Sequence, residues 1–392
     1  MNGYYNVEEI RYMDCFSLII DDKNYFEKIK KKDICLYGAG TKGRQTLYLL
    51  RKNGIEPIVF IDKCAEKYAD GCAGIEVISP EDAVKKYPNC MILITTVWPL
   101  AIEIETFVKR NWKEYVVCAN PFKVETRFLT KAELCQEEDM IINSYELLAD
   151  EKSKQLFIEE INWKITGDST RPAKYTESLS VLEWFMFDKL DWSRKYTYVD
   201  VGAYTGDTVI RFMMASGGVY NKIVAIEPDE INRIHMQSIM SDLRLNDKCT
   251  YIYEGVWKEK NELIFYSSGR DTYESSNFTE SVDKILPEHR VRKDDIGIEM
   301  RLPVNSLDNM LKEIEHEELM IKIDAQGSEF EALLGATHLI AEHKPILILE
   351  FATNSQHIGD MIPFINHLNK DYQFYLRQII LSGNSRTVLY VI

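Results

Sequence analysis

Two short apolar runs, each ending in a glycine turn and followed by a helix-like stretch, set what this 392-residue chain can fold into. The first lies in "DICLYGAGTKGRQTLYLLRKNG". Here Ile34 to Tyr37 read as a buried strand, Gly38, Gly40 and Gly43 punctuate a turn, and Leu47, Leu49 and Leu50 fall in the helix beyond. The second is "YVDVGAYTGDT", residues 198–208, where a strand ends in Asp200 and enters a loop with two glycines. A strand, a short loop and a helix, repeated, force a parallel sheet covered by helices.

Read along the chain, the pattern gives two α/β units. Residues 1–122 carry the first, with further strands in "IEPIVFIDK", which ends at Asp62, in "GIEVIS" and in "CMILITT". Residues 123–195 read as a helical connector rich in Glu, Leu and Trp. Residues 196–392 carry the second unit, with strands "YTYVDVGA", "KIVAIEP", "CTYIYEGVW", "LMIKIDA", "PILILEF", "YQFYLRQII" and "RTVLYVI". No helix separates the last two, so they are expected to pair as an antiparallel hairpin. "NELIFYSSG" and "IEMRLPVNSL" read as an inserted hairpin between the third and fourth strands.

Composition narrows the function classes. A hydrophobic content of 45% suits a globular protein with ample cores, and a length of 392 residues favours two domains. The formal charge of −15 disfavours non-specific binding to nucleic acid or an anionic membrane. The eight cysteines form no CxxC pair and sit mostly in apolar segments, as thiols do in a reducing compartment. The first residues lack the apolar core of a secretory signal, and no run approaches the roughly 18 apolar residues of a membrane span. The expectation is a cytoplasmic protein.

Asp200 and Glu227 carry the chemical argument in the second unit. Ligands of open parallel sheets bind beyond the carboxyl ends of the strands. Gly202 and Gly206 are expected to let a ligand approach the backbone, and Asp200 to meet a cationic amino-acid end. Glu227, at the tip of the next strand, suits the two hydroxyls of a ribose. The turn reads D-x-G-A-x-x-G-D, and its acids are poor company for a pyrophosphate. They suit S-adenosylmethionine, which has ribose hydroxyls, an ammonium and a sulfonium but no phosphate.

"YVDVGAYTGDT", "VAIEPD", "NSLDNM" and "IKIDAQGSEFEALLGA…HKPILILE", in that order, resemble the FkbM-type S-adenosylmethionine-dependent methyltransferases over residues 196–392. The resemblance implies a class I methyltransferase fold, a doubly wound Rossmann-like sheet. It also implies methyl transfer to a hydroxyl of a sugar or secondary metabolite. It assigns the cofactor site to Asp200, Gly202, Ala203, Gly206, Glu227 and Pro228, with Glu254 added as a candidate on the adenine side. Tyr204 departs from the family, which often has a small polar residue there.

Methyl transfer from a sulfonium asks the protein mainly for alignment, and for an alcohol acceptor a general base adds about 10²–10⁴-fold. Asp324, at the tip of the fourth strand, is the first candidate base; its alternative is a capping acid at the next helix. Glu350, ending the fifth strand, is the second candidate. Lys322 is expected to bridge to an acid or to orient the acceptor. Glu329 reads as a surface acid favouring the first turn of its helix. His338, His343 and the other histidines show no zinc-like spacing and no metal ligand is assigned, while a magnesium-assisted variant using several of the carboxylates stays open. The polar stretch from Ser267 to Asp295 reads as a lid or an exposed loop, with Arg270 suited to an anionic acceptor.

In the first unit Gly38, Gly40 and Gly43 fit G-x-G-x-x-G, and Asp62 follows Gly43 by 19 residues, near where a ribose-binding acid belongs. The stretch also resembles small Rossmann-like, nucleotide-binding-like domains attached to sugar-modifying enzymes. A nucleotide or nucleotide-sugar site and a degenerate docking or homodimerisation domain both stand as readings. Two rivals remain for the whole chain: a nucleotide-sugar binding protein without catalysis, and an NAD-dependent sugar oxidoreductase. The expected partner is a small-molecule or glycan acceptor.

Overall fold

The computed structural model describes residues 15–96, 100–118, 128–176, 181–245, 248–267, 298–314, 317–325, 327–351, 357–381 and 384–392. The stretch from Ser268 to Gly297, Arg270 included, lies outside them. The chain divides into two compact units. The first comprises Met1–Pro121, Arg127–Lys174 and Ile358–Pro363; the second comprises Phe122–Thr126, Tyr175–His357 and Phe364–Ile392. The stretch read as a helical connector is thus shared between them.

The first unit is built on β1 (Ile34–Tyr37), β2 (Val59–Ile61), β3 (Val77–Ile78), β4 (Met91–Ile94) and β5 (Glu114–Val117). They form a parallel sheet in the order β3-β2-β1-β4-β5. β1, β2 and β4 are buried along their whole length, which is why they read as unbroken apolar runs. α1 (Thr41–Lys52) follows β1, α2 (Pro80–Lys86) follows β3, and α3 (Leu100–Asn111) follows β4. α2 begins at Ser79, whose hydroxyl accepts from Asp82 N, with Pro80 in the first helical turn. α4 (Glu138–Leu147) and α5 (Glu151–Thr166) also belong to this unit, α5 ending at Gly167 with φ 74°.

The second unit contains a seven-stranded sheet. Its parallel strands are β6 (Thr197–Val201), β7 (Lys222–Ile226), β8 (Cys249–Ile252), β12 (Leu319–Ile323) and β13 (Ile346–Glu350). β14 (Phe374–Leu381) and β15 (Asn384–Val391) form the expected antiparallel hairpin, and β15 runs antiparallel to β13. The order is β14-β15-β13-β12-β6-β7-β8, so strand order reverses between β12 and β6. The third apolar run does not continue as one strand. It breaks after Ile252, and its end, β9 (Gly255–Val256), joins β10 (Asn261–Ser267) and β11 (Ile298–Asn305) in a small separate sheet.

One face of the seven-stranded sheet carries Tyr198, Met320, Ile348 and Tyr390, packed with Trp184, Phe185 and Phe212. Tyr198 stacks on Phe212 at 4.2 Å between ring centroids, and the Tyr390 hydroxyl donates to the Trp184 carbonyl at 3.0 Å. All eight cysteines are free thiols and six are buried. Among the described residues no helix is long and apolar enough to cross a membrane.

Candidate active site

β6 ends in a loop held from both sides. Gly202 N and Ala203 N donate to Ile226 O at the end of β7, while Asp324 N, just past β12, donates to Val201 O. The loop turns through Gly202 at φ 72°, Tyr204 at φ 49° and Gly206 at φ 85°, then enters α6 (Asp207–Ala215). A β-carbon at Gly202 would lie 2.1 Å from Asp324 O, and one at Gly206 would lie 2.4 Å from the Met240 methyl. Both glycines are therefore required by the protein's own packing.

Asp200 lies behind the same loop. It is fully buried, and its carboxylate forms an ion pair with Lys322 Nζ at 3.0 Å and accepts from the Thr208 hydroxyl. The cause lies in the register, because β6 and β12 pair Asp200 directly with Lys322. Burial pushes the Asp200 carboxyl up, against the pull of Lys322 and Thr208. Asp200 thus supports the loop from behind and has no open face for a cationic ligand.

Lys322 is spent in the same way. Besides the ion pair it donates to Val201 O at 3.3 Å and Gly202 O at 3.0 Å, so three partners meet its three donors. Its ammonium also lies 5.4 Å from the centre of the Trp184 ring. Burial alone would lower its pKa, but the charges of Asp200 and Asp324 more than offset that. Of the two expectations for Lys322, the bridge to an acid is the one seen, and it supports the loop.

Glu227 follows β7 and is 5% exposed. One carboxylate oxygen accepts from Tyr204 N at 2.9 Å; the other accepts from Asp229 N at 3.0 Å and Asn232 Nδ2 at 3.3 Å. A carboxylate offers about four lone-pair positions, so an acceptor position remains beyond these three bonds. Burial, only partly countered by those donors, pushes its pKa up to about 7. Ala203 is buried and Pro228 half-buried at this edge. Glu254 sits two residues beyond β8, half-buried in the bend before β9 and not at a strand end.

On the other side of β6 the ends of β12, β13 and β15 gather Asp324, Glu329, Glu350 and Arg386. The three carboxylates each offer an oxygen within 4.8 Å of the others, a set able in principle to ligate a metal. Arg386 supplies the cation of this cluster, with Nη1 2.5 Å from Glu350 and 3.8 Å from Asp324. Asp324 has the most exposed side chain, at 14% against 7% for Glu350. The surface role expected for Glu329 is overturned, since it is 1% exposed. It accepts from Ala325 N at 2.9 Å and Gly327 N at 3.0 Å, the capping function weighed for Asp324. Burial and the neighbouring Glu350 charge push its pKa up to about 8.

Arg386 went unread in the sequence, although a signal existed. With strand period two it shares a face with Val388 and Tyr390, both in the core, so a buried arginine needing acids was implied. His338 and His343 pack edge to face, 5.7 Å between centroids, apart from the carboxylates.

A family model described as "Methyltransferase FkbM domain" matches residues 200–374, which include Asp200, Glu227, Asp324 and Glu350 but not Arg386. Residues 200–374 are thus similar to FkbM methyltransferase domains. The fold agrees: the solved structure of methyltransferase FkbM from Methylobacillus flagellatus KT superposes with a TM-score of 0.67 at 18% identity, covering 98% of this chain and 96% of that one. Partial overlaps occur with a precorrin-6y C5,15-methyltransferase from Geobacter metallireducens and a putative caffeoyl-CoA O-methyltransferase from Staphylococcus aureus. The first has a TM-score of 0.29 at 8% identity, over 51% of this chain and 82% of that one. The second has a TM-score of 0.26 at 11% identity, over 51% and 77%. Scores that low add nothing to the fold assignment. No curated protein matches the chain.

The first unit has its own glycine turn. Gly38 N donates to Ile61 O at 2.8 Å, and Asp62 accepts from Ala39 N and Cys64 N, each at 2.9 Å. A β-carbon at Gly43 would lie 1.9 Å from Gly38 O, so α1 packs against the turn only with glycine there. At Gly40 a β-carbon would meet nothing within 4 Å.

Proposed function

We propose that the FkbM domain transfers a methyl group from S-adenosylmethionine to a hydroxyl of a sugar or glycoconjugate. The observation that carries this reading is the clasp around the loop after β6. Glu227 and Asp324 stand at the ends of β7 and β12, the two strands flanking β6, and both touch that loop. A nucleoside acid and a candidate base thus flank one turn.

The cofactor fits the donor set. Glu227 keeps acceptor capacity for a ribose diol, and the first turn of α6 carries Asp207, which disfavours a phosphate there. S-adenosylmethionine would supply an activated methyl on a good leaving group. Glu227 would hold the ribose, and the loop backed by Asp200 and Lys322 would fix its position. Asp324, the accessible member of its cluster, would take the acceptor hydroxyl's proton. Glu350 and Arg386 keep the Asp324 carboxylate in place, and Glu329 keeps the turn after β12 in shape.

The test is methyl transfer from labelled S-adenosylmethionine to a panel of nucleotide sugars and free glycans. We expect label in an alkali-stable ether. Asp324→Asn should lower kcat by about 10²–10⁴-fold while leaving cofactor affinity within twofold. Label on nitrogen or in an alkali-labile ester, or full activity of Asp324→Asn, would refute the reading. Cofactor binding without transfer to any acceptor favours the binding-protein alternative.

A further inference from the structure

The carboxyl edge of the first sheet carries an arrangement that methyl transfer does not use. A cavity of about 580 Å³ opens there, with Tyr37, Lys63, Pro80, Glu103, Ile104 and Phe107 in its lining. That volume falls within the roughly 300–1,000 Å³ of small-ligand sites. Its walls come from strand ends and two helices. Tyr37 closes β1, Lys63 stands two residues past β2, Pro80 and Glu81 begin α2, and the rest is a face of α3.

Ile104 and Phe107, one helical turn apart, give apolar surface, while Lys63 and Glu103, 2.6 Å apart, put a donor and an acceptor at the rim. A heterocyclic base has this character, apolar above and below and polar around its edge. Asp62 precedes the lining residue Lys63 in the chain, and its carboxylate accepts from Ala39 N and Cys64 N.

The glycine turns of the two units differ in the charge they admit. Asp62 grips the first turn through Ala39 N and Cys64 N, much as Glu227 grips the second through Tyr204 N and Asp229 N. The first turn of α6, however, contains Asp207, whereas the first turn of α1 holds no acid and includes Lys42. Gly40, the N-cap residue just before α1, offers no side-chain cap and faces open space. An anion is favoured at the first turn and disfavoured at the second.

We propose that the first unit binds a nucleoside diphosphate at this edge. The base occupies the cavity, the ribose meets Asp62, and the diphosphate lies over Gly40 at the start of α1. The same chemistry is offered by a free nucleotide, a nucleotide sugar or a dinucleotide.

The experiment is calorimetric titration of the full chain with ADP, UDP, UDP-glucose and NAD, using adenosine and uridine as phosphate-free controls. At least one diphosphate should bind ten times or more tighter than its nucleoside. NAD binding tighter than ADP identifies a dinucleotide as the source, and UDP-glucose tighter than UDP identifies a nucleotide sugar. Gly40 has φ −71° and no neighbour within 4 Å, so Gly40→Ala and Gly40→Asp both fit the backbone. Gly40→Asp also suits a helix start. Gly40→Asp should weaken diphosphate binding at least tenfold at an undiminished melting temperature, and Gly40→Ala by much less. Binding of S-adenosylmethionine should be unchanged in both, which separates failure here from failure of the methyltransferase reading. No binding of any diphosphate at millimolar concentration, equal binding of the nucleosides, or full binding by Gly40→Asp would overturn the proposal.

Discussion

Glu329 holds a carboxyl group almost out of reach of water, beside the carboxylates of Asp324 and Glu350. Its pKa of about 8 lies above the ordinary 4.5, so between those values the native protein holds a proton that the unfolded chain has released. Stability from this group is full below pH 4.5 and is lost as pH rises through 8. Glu227, pushed up to about 7, acts in the same direction. Urea denaturation should therefore show stability falling between pH 6 and 8, by on the order of a few kcal/mol. Glu329→Gln keeps an acceptor for Ala325 N and Gly327 N and mimics the protonated acid. It should be more stable than the wild type at pH 8 and show a shallower slope. An unchanged slope would mean that Glu329 is ionised in the native state. Tyr204 shows a different constraint, since φ 49° is a conformation that asparagine tolerates and tyrosine resists. Its backbone N–H donates to Glu227, so the strained turn serves the same acid.

At the scale of elements, the β6–β12 register decides what Asp200 does. Direct pairing places Lys322 opposite it, and the two charges neutralise each other beneath the loop. Lys322→Met should cost about 3–5 kcal/mol, because it strands a buried carboxylate. Adding Asp200→Asn should recover much of that loss; additive losses in denaturant titrations would deny the coupling. The strands themselves were legible, since β1 and β4 are buried throughout and leave unbroken apolar runs, and β6, β12 and β13 are broken only by Thr197, Asp200, Lys322 and Glu350. The break after Ile252 was not, because Tyr253 and Glu254 continue a strand-like composition while the backbone leaves the sheet. Within the site, Glu227, Asp324 and Glu350 were found as acids at strand ends. The roles of Gly202 and Gly206 were not, because the atoms that fill their space, Asp324 O and the Met240 methyl, are distant in sequence. Glu329 was misread for a related reason, as helix-start acids usually face water and this one is buried.

For the whole molecule, two sheets repeat one device, an acid at the end of the second strand that grips the turn after the first. Asp62 does so in one unit and Glu227 in the other. With a formal charge of −15 the chain offers anions little general attraction, so local dipoles and lysines must select a phosphate. The acidic second turn instead suits a cationic nucleoside. Its affinity should follow the ionisation of Glu227, since a ribose diol donates far more strongly to the carboxylate than to the neutral acid. Calorimetric titration of S-adenosylmethionine against the wild type and Glu227→Gln between pH 6 and 8 tests this most directly. With Glu227 near pKa 7, wild-type affinity should tighten about tenfold across that range with net proton release, while Glu227→Gln should bind weakly and without pH dependence. Equal, pH-independent binding by both proteins would contradict the assignment of this crevice to the cofactor.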